Sequence, residues 1–414
     1  MELVERFLKY VKIDTQSNFN STTTPTTKSQ LQLAKILVED MKNIGIKDCF
    51  MDCYGVVYAK VPSNVKNKCD AIGLIGHLDT SPDMCGKGIQ PKIIRNYDGK
   101  DIILNKEKNI ILSPTDYPSL NKHIGEDLIV TDGTTLLGAD DKAGVVEILE
   151  CIKRILEQNL PHGDIVLAFT PDEEVGQGTE HFDIEKFSCD YAYTIDGGPI
   201  DEINIETFNA ARAVVTIEGV NTHPGSGKNK MINALKLAMR FDSLLPIKDT
   251  PSLTEGYEGF NHLNELTGEC EKAQMKYLIR NHDKQKLEKQ KRDFYLARDF
   301  INQQYERTLV QVIIQDEYDN MKERIQAKME IVTQVEDAMK EIGITPKCVP
   351  VRGGTDGAEL TMNKGVLTPN LGTGGDNCHS KFEYCSILEM EQAVEILTRV
   401  LVNNTKKQKQ KEKK

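Results

Sequence analysis

Apolar runs of strand length end directly in histidine or acidic residues at three places in this sequence. AIGLIGHLD ends with His77 and Asp79, GDIVLAFT is followed by PDEE, and YAYTID ends at Asp196. Short, continuous apolar runs are typical of buried parallel strands, and polar residues that follow such strands meet at the carboxyl edge of the sheet. The pattern predicts an α/β fold with a polar site at that edge.

Helical segments separate these strands. Residues 31–43 and the segment DKAGVVEILECIKRILEQNL, which begins at Asp141, carry apolar residues at helical spacing. Strands that alternate with helices predict a mostly parallel central sheet.

The character of the sequence changes near residue 208. ARAVVTIEGV, QMKYLIRNHD and TLVQVIIQDEY alternate apolar and polar residues as strands do, and two helices are predicted between them, over 229–245 and about 283–306. This order predicts a smaller α+β domain inserted into the larger one. The predicted divisions are 1–207 and 320–402 for the larger domain, 208–319 for the insert and 403–414 for a disordered basic tail.

Composition narrows the classes of function. A net charge of −11 argues against a nucleic-acid partner, and no apolar run approaches the length of about 20 residues that a membrane span needs. The ten cysteines form no CxxC pair, which argues against a zinc finger or a disulfide framework. Reduced cysteines predict a cytoplasmic protein, and the lack of a long apolar run predicts that it has no membrane partner.

Metal ligation is the chemistry that the polar segments support. Imidazole and carboxylate groups without thiolate suit zinc, manganese or cobalt. Taken singly, an HxD pair, an acidic helix start or a Glu-Glu pair is more often structural, but their clustering beside strands and glycines favours a metal site. The segments are HLDT (77–80), GADDKAG (138–144), TPDEEVGQG (170–178), TIDGG (194–198) and GGDNCHSKFEY (374–384).

Spacing suggests a division of labour within these segments. His77 and Asp79 are two apart on a strand and face the same way, so one can bind a metal while the other orients it. Glu173 and Glu174 are adjacent and point apart, which suits one ligand and one proton acceptor. Asp140 lies at a predicted helix start, where a carboxylate is favoured and could bridge two metals.

These segments, with VRGGTDGAEL at 351–360, resemble in order and spacing the peptidase T family of tripeptide aminopeptidases. That family belongs to a di-zinc superfamily that also contains aminoacylases, dipeptidases and carboxypeptidases. The resemblance covers about 1–402. It implies a zinc-exopeptidase-like catalytic domain interrupted by a lid and dimerisation domain, a short peptide substrate, two Zn²⁺ per subunit with Mn²⁺ or Co²⁺ as alternatives, and a homodimer.

The resemblance also implies which residues bind the metals. His77, Asp140 and Asp196 would hold one ion. Asp140, Glu174 and His379 would hold the other, so that Asp140 bridges the two.

Two further roles follow from the same resemblance. Asp79 would orient His77, and Glu173 would be the general base. The family pattern also implies a cis peptide bond between Asp140 and Asp141.

Three residues of the chain resemble substrate-binding positions of the family. His223 in NTHPGSG would stabilise the oxyanion, and in relatives this histidine reaches the site of a partner subunit. Arg280 would clamp the C-terminal carboxylate of the substrate, and Arg352, just before a glycine pair, is a second candidate for that task. His223 is equally explained as a polar loop residue, and Arg280 as a surface residue.

Several alternatives stay open. A dipeptidase or an N-acyl-amino-acid deacylase of the same superfamily would share the metal core. A non-catalytic binding protein would lack a ligand or the base, and here all of them are present. Cys378 and Asp376 depart from the family pattern, and Cys378 could bind zinc or pack beside it. The remaining histidines are expected to be structural or at the surface: His123, His162, His181, His262 and His282.

Overall fold

The computed structural model describes residues 2–411, with side chains described for residues 2–406. Within that range the chain forms nine α-helices and eighteen strands. The helices are α1 (Leu3–Tyr10), α2 (Gln30–Asn43), α3 (Ala139–Glu157), α4 (Ala234–Leu244), α5 (Lys284–Tyr305), α6 (Lys322–Gln326), α7 (Glu330–Glu341), α8 (Asp356–Glu359) and α9 (Ile387–Lys411). The strands are β1 (Asp48–Met51), β2 (Val57–Val61), β3 (Ile72–His77), β4 (Lys92–Ile94), β5 (Ile102–Asn105), β6 (Ile110–Leu112), β7 (Leu128–Val130), β8 (Ile165–Thr170), β9 (Tyr191–Ile195), β10 (Glu202–Glu206), β11 (Asn209–Glu218), β12 (Phe260–Gly268), β13 (Lys272–Asn281), β14 (Val310–Tyr318), β15 (Lys347–Pro350), β16 (Asn370–Leu371), β17 (Gly375–Asp376) and β18 (Tyr384–Ser386).

The chain divides into two compact units. The α/β unit comprises Met1–Ile205, Glu323–Val349 and Thr355–Lys414, and the insert unit comprises Glu206–Lys322 and Pro350–Gly354. The sequence analysis placed the boundaries at 207/208 and 319/320 and assigned 350–354 to the larger domain. That last assignment is corrected, because the backbone of this segment joins the insert unit, where Val351 N–H donates to the Glu206 carbonyl at 2.8 Å.

An eight-stranded sheet forms the centre of the α/β unit, in the order β1-β2-β8-β3-β9-β16-β10-β15. Its four middle strands, β8, β3, β9 and β16, run parallel. Every residue of β3, β8 and β9 is buried, as their apolar runs predict. The predicted α/β fold is confirmed. The strands on either side add antiparallel pairs, such as β1 with β2, which a short turn joins.

Helix α3 lies directly on this sheet beside β3 and β9. Gly144 permits the close approach, since a Cβ atom at this position would lie 1.8 Å from the Ile195 carbonyl oxygen. The first residues of α3 and the residue that follows β9 are therefore neighbours.

The insert unit is an antiparallel sheet in the order β12-β13-β11-β14, with α4 and α5 packed on it. Its core includes Val215, Ile217, Phe241, Met275 and Phe294. Three of its strands and both helices were predicted. The edge strand β12 was missed because FNHLNELTG is mostly polar and has only one buried residue.

The end of the chain requires a second correction. Helix α9 continues to Lys411, so the predicted disordered tail is wrong over 403–411, and 412–414 lie outside the described residues. Asn404 and Thr405 are buried, and the Asn404 amide donates to the Asp70 carbonyl at 2.8 Å. These contacts extend the helix beyond its last apolar residues.

All ten cysteines are free thiols. Among the described residues, no helix has both the length and the apolar character that crossing a membrane requires.

Candidate metal centre

Three neighbouring parallel strands deliver the first set of polar side chains. His77 is the last residue of β3, Glu173 and Glu174 lie in a single 3-10 turn after β8, and Asp196 directly follows β9. Because the carboxyl ends of parallel strands share one edge of the sheet, these side chains converge there.

Two groups of potential metal ligands meet at this edge. His77, Asp140 and Asp196 form one group, and Asp140, Glu174 and His379 form the other. Within each group the ligand atoms lie within 4.8 Å of one another. The structure thus brings together all five residues that the family resemblance names as ligands.

Asp140 belongs to both groups through different oxygens. Its Oδ1 lies 2.9 Å from His77 Nε2, and its Oδ2 lies 3.4 Å from His379 Nε2. His379 Nε2 also lies 2.8 Å from Glu174 Oε2, and His77 Nε2 lies 3.5 Å from Asp196 Oδ1. A carboxylate with one oxygen in each group is the arrangement that a bridging ligand requires.

The backbone at Asp140 departs from a regular helix. The peptide bond between Asp140 and Asp141 is cis, which confirms the expectation from the resemblance. Both residues have non-helical dihedral angles although they belong to α3, and Gly138 before them has a φ of 77°. The carboxylate of Asp140 is therefore presented by a loop-like segment rather than by a helical turn.

The two histidines are strongly polarised by their acidic neighbours. Burial disfavours the charged imidazole of His77, but the Asp196 and Asp140 carboxylates outweigh burial and raise the pKa of His77 well above its ordinary value. Burial likewise opposes the charge on His379, while Asp140 and Glu174 raise its pKa to about 11.

Two carboxylates of the cluster, Glu174 and Asp196, lack enough positive charge around them. Burial, reinforced by the Asp140 charge, raises the pKa of Glu174 to about 8, and the same two causes raise the pKa of Asp196. Glu174 Oε1 is buried and has no hydrogen-bond partner among the described residues. Nitrogen and oxygen donors, surplus negative charge and an unpartnered carboxylate oxygen together fit divalent cations.

Asp79 connects the two sides of the site. The His77 ring nitrogen Nδ1 lies 3.1 Å from the Asp79 carbonyl and 3.4 Å from its carboxylate, so Nε2 is left facing the ligand groups. The same carboxylate accepts hydrogen bonds from the backbone N–H groups of Glu173 at 3.0 Å and Glu174 at 3.2 Å. Asp79 therefore positions the turn after β8 as well as His77, a second contact that the sequence analysis did not foresee.

Glu173 directly precedes Glu174 in this turn. Burial raises the pKa of Glu173 well above its ordinary value, although the nearby charge of His77 acts to lower it. The charge of Asp356 also raises the pKa of Glu173. Burial raises the pKa of Asp356 itself to about 7, and its carboxylate accepts a hydrogen bond from Thr170 Oγ1 at 2.6 Å. A carboxyl group whose pKa is raised in this way is a stronger proton acceptor than an exposed glutamate.

Other acidic residues support the ligand segments through backbone contacts that sequence reasoning missed. Asp141 Oδ2 accepts from His77 N–H at 2.9 Å. Asp172 accepts from Thr26 N–H at 2.8 Å and from the Gln30 amide at 2.6 Å, which anchors the residue before Glu173. Asp141 and Asp172 stand beside predicted site residues in the sequence, but nothing in the sequence identifies the backbone groups they contact.

Cys378 belongs to neither ligand group found among the described residues. Burial, reinforced by Asp140 and Glu383, raises the pKa of its thiol well above the ordinary value.

The predicted substrate-binding residues lie in the insert unit. His223 is exposed, and its Nδ1 accepts from the Gly225 N–H at 3.2 Å. Arg280 pairs with Glu317 at 2.9 Å and lies over the Tyr318 ring. Both arginine and histidine therefore have partners within their own unit.

Arg352 is held in a similar way. Its guanidinium donates to the carbonyls of Gly256 at 2.9 Å and Glu258 at 2.6 Å, and it lies over the rings of Phe208 and Phe260. None of the three predicted substrate-binding residues is part of the unit that contains the ligand groups.

The five remaining histidines take part in neither ligand group. His123 pairs with Glu126 at 2.8 Å, and His162 Nδ1 lies 2.7 Å from the Gly163 carbonyl oxygen. His181 stacks on Tyr54, while His282 contacts the Thr207 carbonyl and His262 lies in β12.

Fold and site together define a metallopeptidase of the α/β type, and comparison with known proteins agrees. The model of "Peptidase family M20/M25/M40" matches residues 132–403. The chain belongs to this family.

Two similar curated proteins carry the same name within the family. Peptidase T of Halothermothrix orenii is 48% identical over 97% of this chain and 98% of its own length. Peptidase T of Clostridium acetobutylicum is 49% identical over the same shares.

Solved structures show the same fold. Aminopeptidase PepT from Bacillus cereus has a TM-score of 0.75 at 23% identity, covering 97% of this chain and 98% of that one. A tripeptidase from Staphylococcus aureus has a TM-score of 0.76 at 20% identity, covering 98% of each chain. A Bacillus subtilis protein described as a dinuclear metal-binding peptidase of the M20 family has a TM-score of 0.63 at 11% identity, covering 97% of this chain and 96% of that one.

Proposed function

We propose that this protein is a cytoplasmic, homodimeric aminopeptidase that removes the N-terminal residue of tripeptides with the help of two zinc ions. The observation that carries the proposal is the pair of ligand groups joined by Asp140. The similarity to peptidase T over nearly the whole chain supports the tripeptide substrate.

The metal roles follow the two groups. His77, Asp140 and Asp196 would hold one ion, and Asp140, Glu174 and His379 would hold the other. Zinc suits these nitrogen and oxygen donors, with Mn²⁺ or Co²⁺ as alternatives. When bound, the two cations polarise the peptide carbonyl and lower the pKa of the attacking water.

Glu173 is the general base in this proposal. It takes the proton of the attacking water and passes it to the amine that leaves. Its buried position raises its pKa, so the carboxyl group holds the proton between these two transfers. Asp79 fixes the position of Glu173 through the backbone and that of His77 through the ring.

The insert unit supplies substrate recognition. His223 is exposed, so a partner subunit can accept its imidazole as an oxyanion donor. Arg280 and Arg352 offer guanidinium groups for the C-terminal carboxylate of a peptide. A substrate carboxylate would join or replace Glu317 at Arg280, and the backbone carbonyls at Arg352.

The test compares four peptides with purified protein before and after chelation: tri-alanine, di-alanine, tetra-alanine and acetylated tri-alanine. We expect chelator-sensitive release of alanine from free tri-alanine in preference to the others. Glu173→Gln should lower kcat by about 10²–10⁴-fold with unchanged zinc content, because only the proton acceptor is lost. Glu180→Gln, the same change at an exposed glutamate shortly after TPDEEVGQG, is the matched control.

Three results would contradict the proposal. Preference for di-alanine or acetylated tri-alanine would indicate a dipeptidase or a deacylase instead. Zinc-loaded protein that cleaves none of the four peptides would indicate a binding protein. Full activity in Glu173→Gln would remove Glu173 from the mechanism.

A further inference from the structure

We propose that Glu383 is a positioning residue that holds the bridging Asp140 in place for metal binding, an inference that rests on the proposed two-metal function. Glu383 is not among the potential ligands, and the sequence motifs assign it no role.

Glu383 makes three contacts with the segment that presents Asp140. Its Oε2 accepts from the backbone N–H groups of Leu137 at 2.6 Å and Gly138 at 2.8 Å, and its Oε1 accepts from the N–H of Asp140 at 3.1 Å. The side chain is buried, with 1% exposure. One carboxylate thus binds three nearby backbone N–H groups. Hydrogen bonds to a charged acceptor are stronger than those between neutral groups.

The position of this backbone segment matters for both ligand groups. Asp140 directs Oδ1 towards His77 and Oδ2 towards His379. If its backbone shifts, one oxygen is misplaced in each group. The segment also contains Gly138 in the left-handed region, and glycine is free to adopt other conformations, so the contacts of Glu383 help to fix this turn.

Glu383 also links the two parts of the chain that meet at the second group. It lies between β17 and β18, in the same connection that carries His379. This connection therefore supplies the potential ligand His379 and, through Glu383, positions the potential ligand Asp140. Loss of Glu383 should weaken metal binding without removing any ligand atom, as changes to groups that orient metal ligands do.

Glu147 provides a matched control. It is a carboxyl group on α3 in the same unit, with 0% exposure. Neither of its oxygens has a hydrogen-bond partner among the described residues. Replacing it by glutamine tests the cost of changing a buried carboxyl group without touching the Asp140 segment.

The experiment compares wild type with Glu383→Gln, Glu383→Asp and Glu147→Gln. Zinc affinity is measured by competition with a chromogenic chelator, and Tm is measured for chelated and zinc-loaded protein. We expect Glu383→Gln to bind zinc about 10–100-fold more weakly than wild type. The rise in Tm on adding zinc should shrink to match. Glu147→Gln should keep wild-type zinc affinity even if its Tm changes.

Glu383→Asp keeps the charge but shortens the side chain, so it should also bind zinc more weakly, and it decides the matter if the glutamine variant does not fold. Wild-type zinc affinity in the variants at Glu383, or an equal loss in Glu147→Gln, would overturn the inference while leaving the proposed function in place. Wild-type protein that binds no zinc would overturn both.

Discussion

At the scale of single residues, the potential ligands depend on a set of other carboxylates that hold the backbone around them. Asp141 accepts from the N–H of His77, Asp79 accepts from those of Glu173 and Glu174, and Glu383 holds the segment before Asp140. Groups that orient ligands in this way tune metal affinity nearly as much as the ligands do.

Glu147 gives the pH-dependent prediction at this scale. Burial, reinforced by the Glu389 charge, raises the pKa of Glu147 well above its ordinary value. Above the ordinary glutamate pKa, the unfolded chain therefore ionises this group while the folded protein keeps it protonated. Ionisation stabilises only the unfolded chain, so the contribution of Glu147 to the free energy of unfolding falls as pH rises towards the raised pKa.

We expect Glu147→Gln to become more stable relative to wild type as pH rises above the ordinary glutamate pKa, by up to about 1.4 kcal/mol per pH unit. Urea unfolding of both proteins at each pH, with a chelator present, measures this difference. The exposed Glu157→Gln serves as control. A difference between Glu147→Gln and wild type that stays constant with pH would contradict the assignment.

Sequence reasoning reached some of these residues and not others, for a physical reason. His77, Glu174 and His379 stand in short motifs whose residue types and spacing indicate metal chemistry. Glu383 stands in one of the same motifs, but its role depends on which backbone N–H groups the fold brings to it. These contacts join residues that are far apart in the sequence, so no local sequence pattern predicts them.

At the scale of secondary-structure elements, the strands that deliver the site were predictable because they are fully buried. β3, β8 and β9 are continuous apolar runs, because a strand that is buried on both faces accepts few polar residues. β12 was missed for the opposite reason, because an edge strand with only one buried residue needs no apolar pattern.

The contact between α3 and β9 gives the prediction at this scale. A methyl group on Gly144 would lie 1.8 Å from the Ile195 carbonyl oxygen and 2.4 Å from Asp141 Oδ1, so the helix must move away from the strand. We expect Gly144→Ala to lower the free energy of unfolding by about 1–3 kcal/mol and to weaken zinc binding. The second effect follows because Asp140 and Asp196 are carried by the two separated elements.

Urea unfolding and zinc titration of Gly144→Ala measure both effects. Glu157→Ala, an exposed change on the same helix, should alter stability by no more than about 0.5 kcal/mol. If the two variants behave alike, the close approach of α3 to β9 does not set the spacing of the ligands.

At the scale of the whole molecule, all five potential ligands belong to the α/β unit, although that unit is assembled from three separate stretches of the chain. The change in sequence character near residue 208 was enough to predict an insert. The return of Pro350–Gly354 to the insert unit was not predictable, because it depends on pairing with Glu206 rather than on composition.

The central claim is that two metal ions bind side by side and share Asp140. Crystals grown with zinc and measured at the zinc absorption edge test it most directly through the anomalous difference map. The account predicts two peaks in each α/β unit, one among His77, Asp140 and Asp196 and one among Asp140, Glu174 and His379. A map without a peak at either group, or with its peaks elsewhere in the protein, would contradict it.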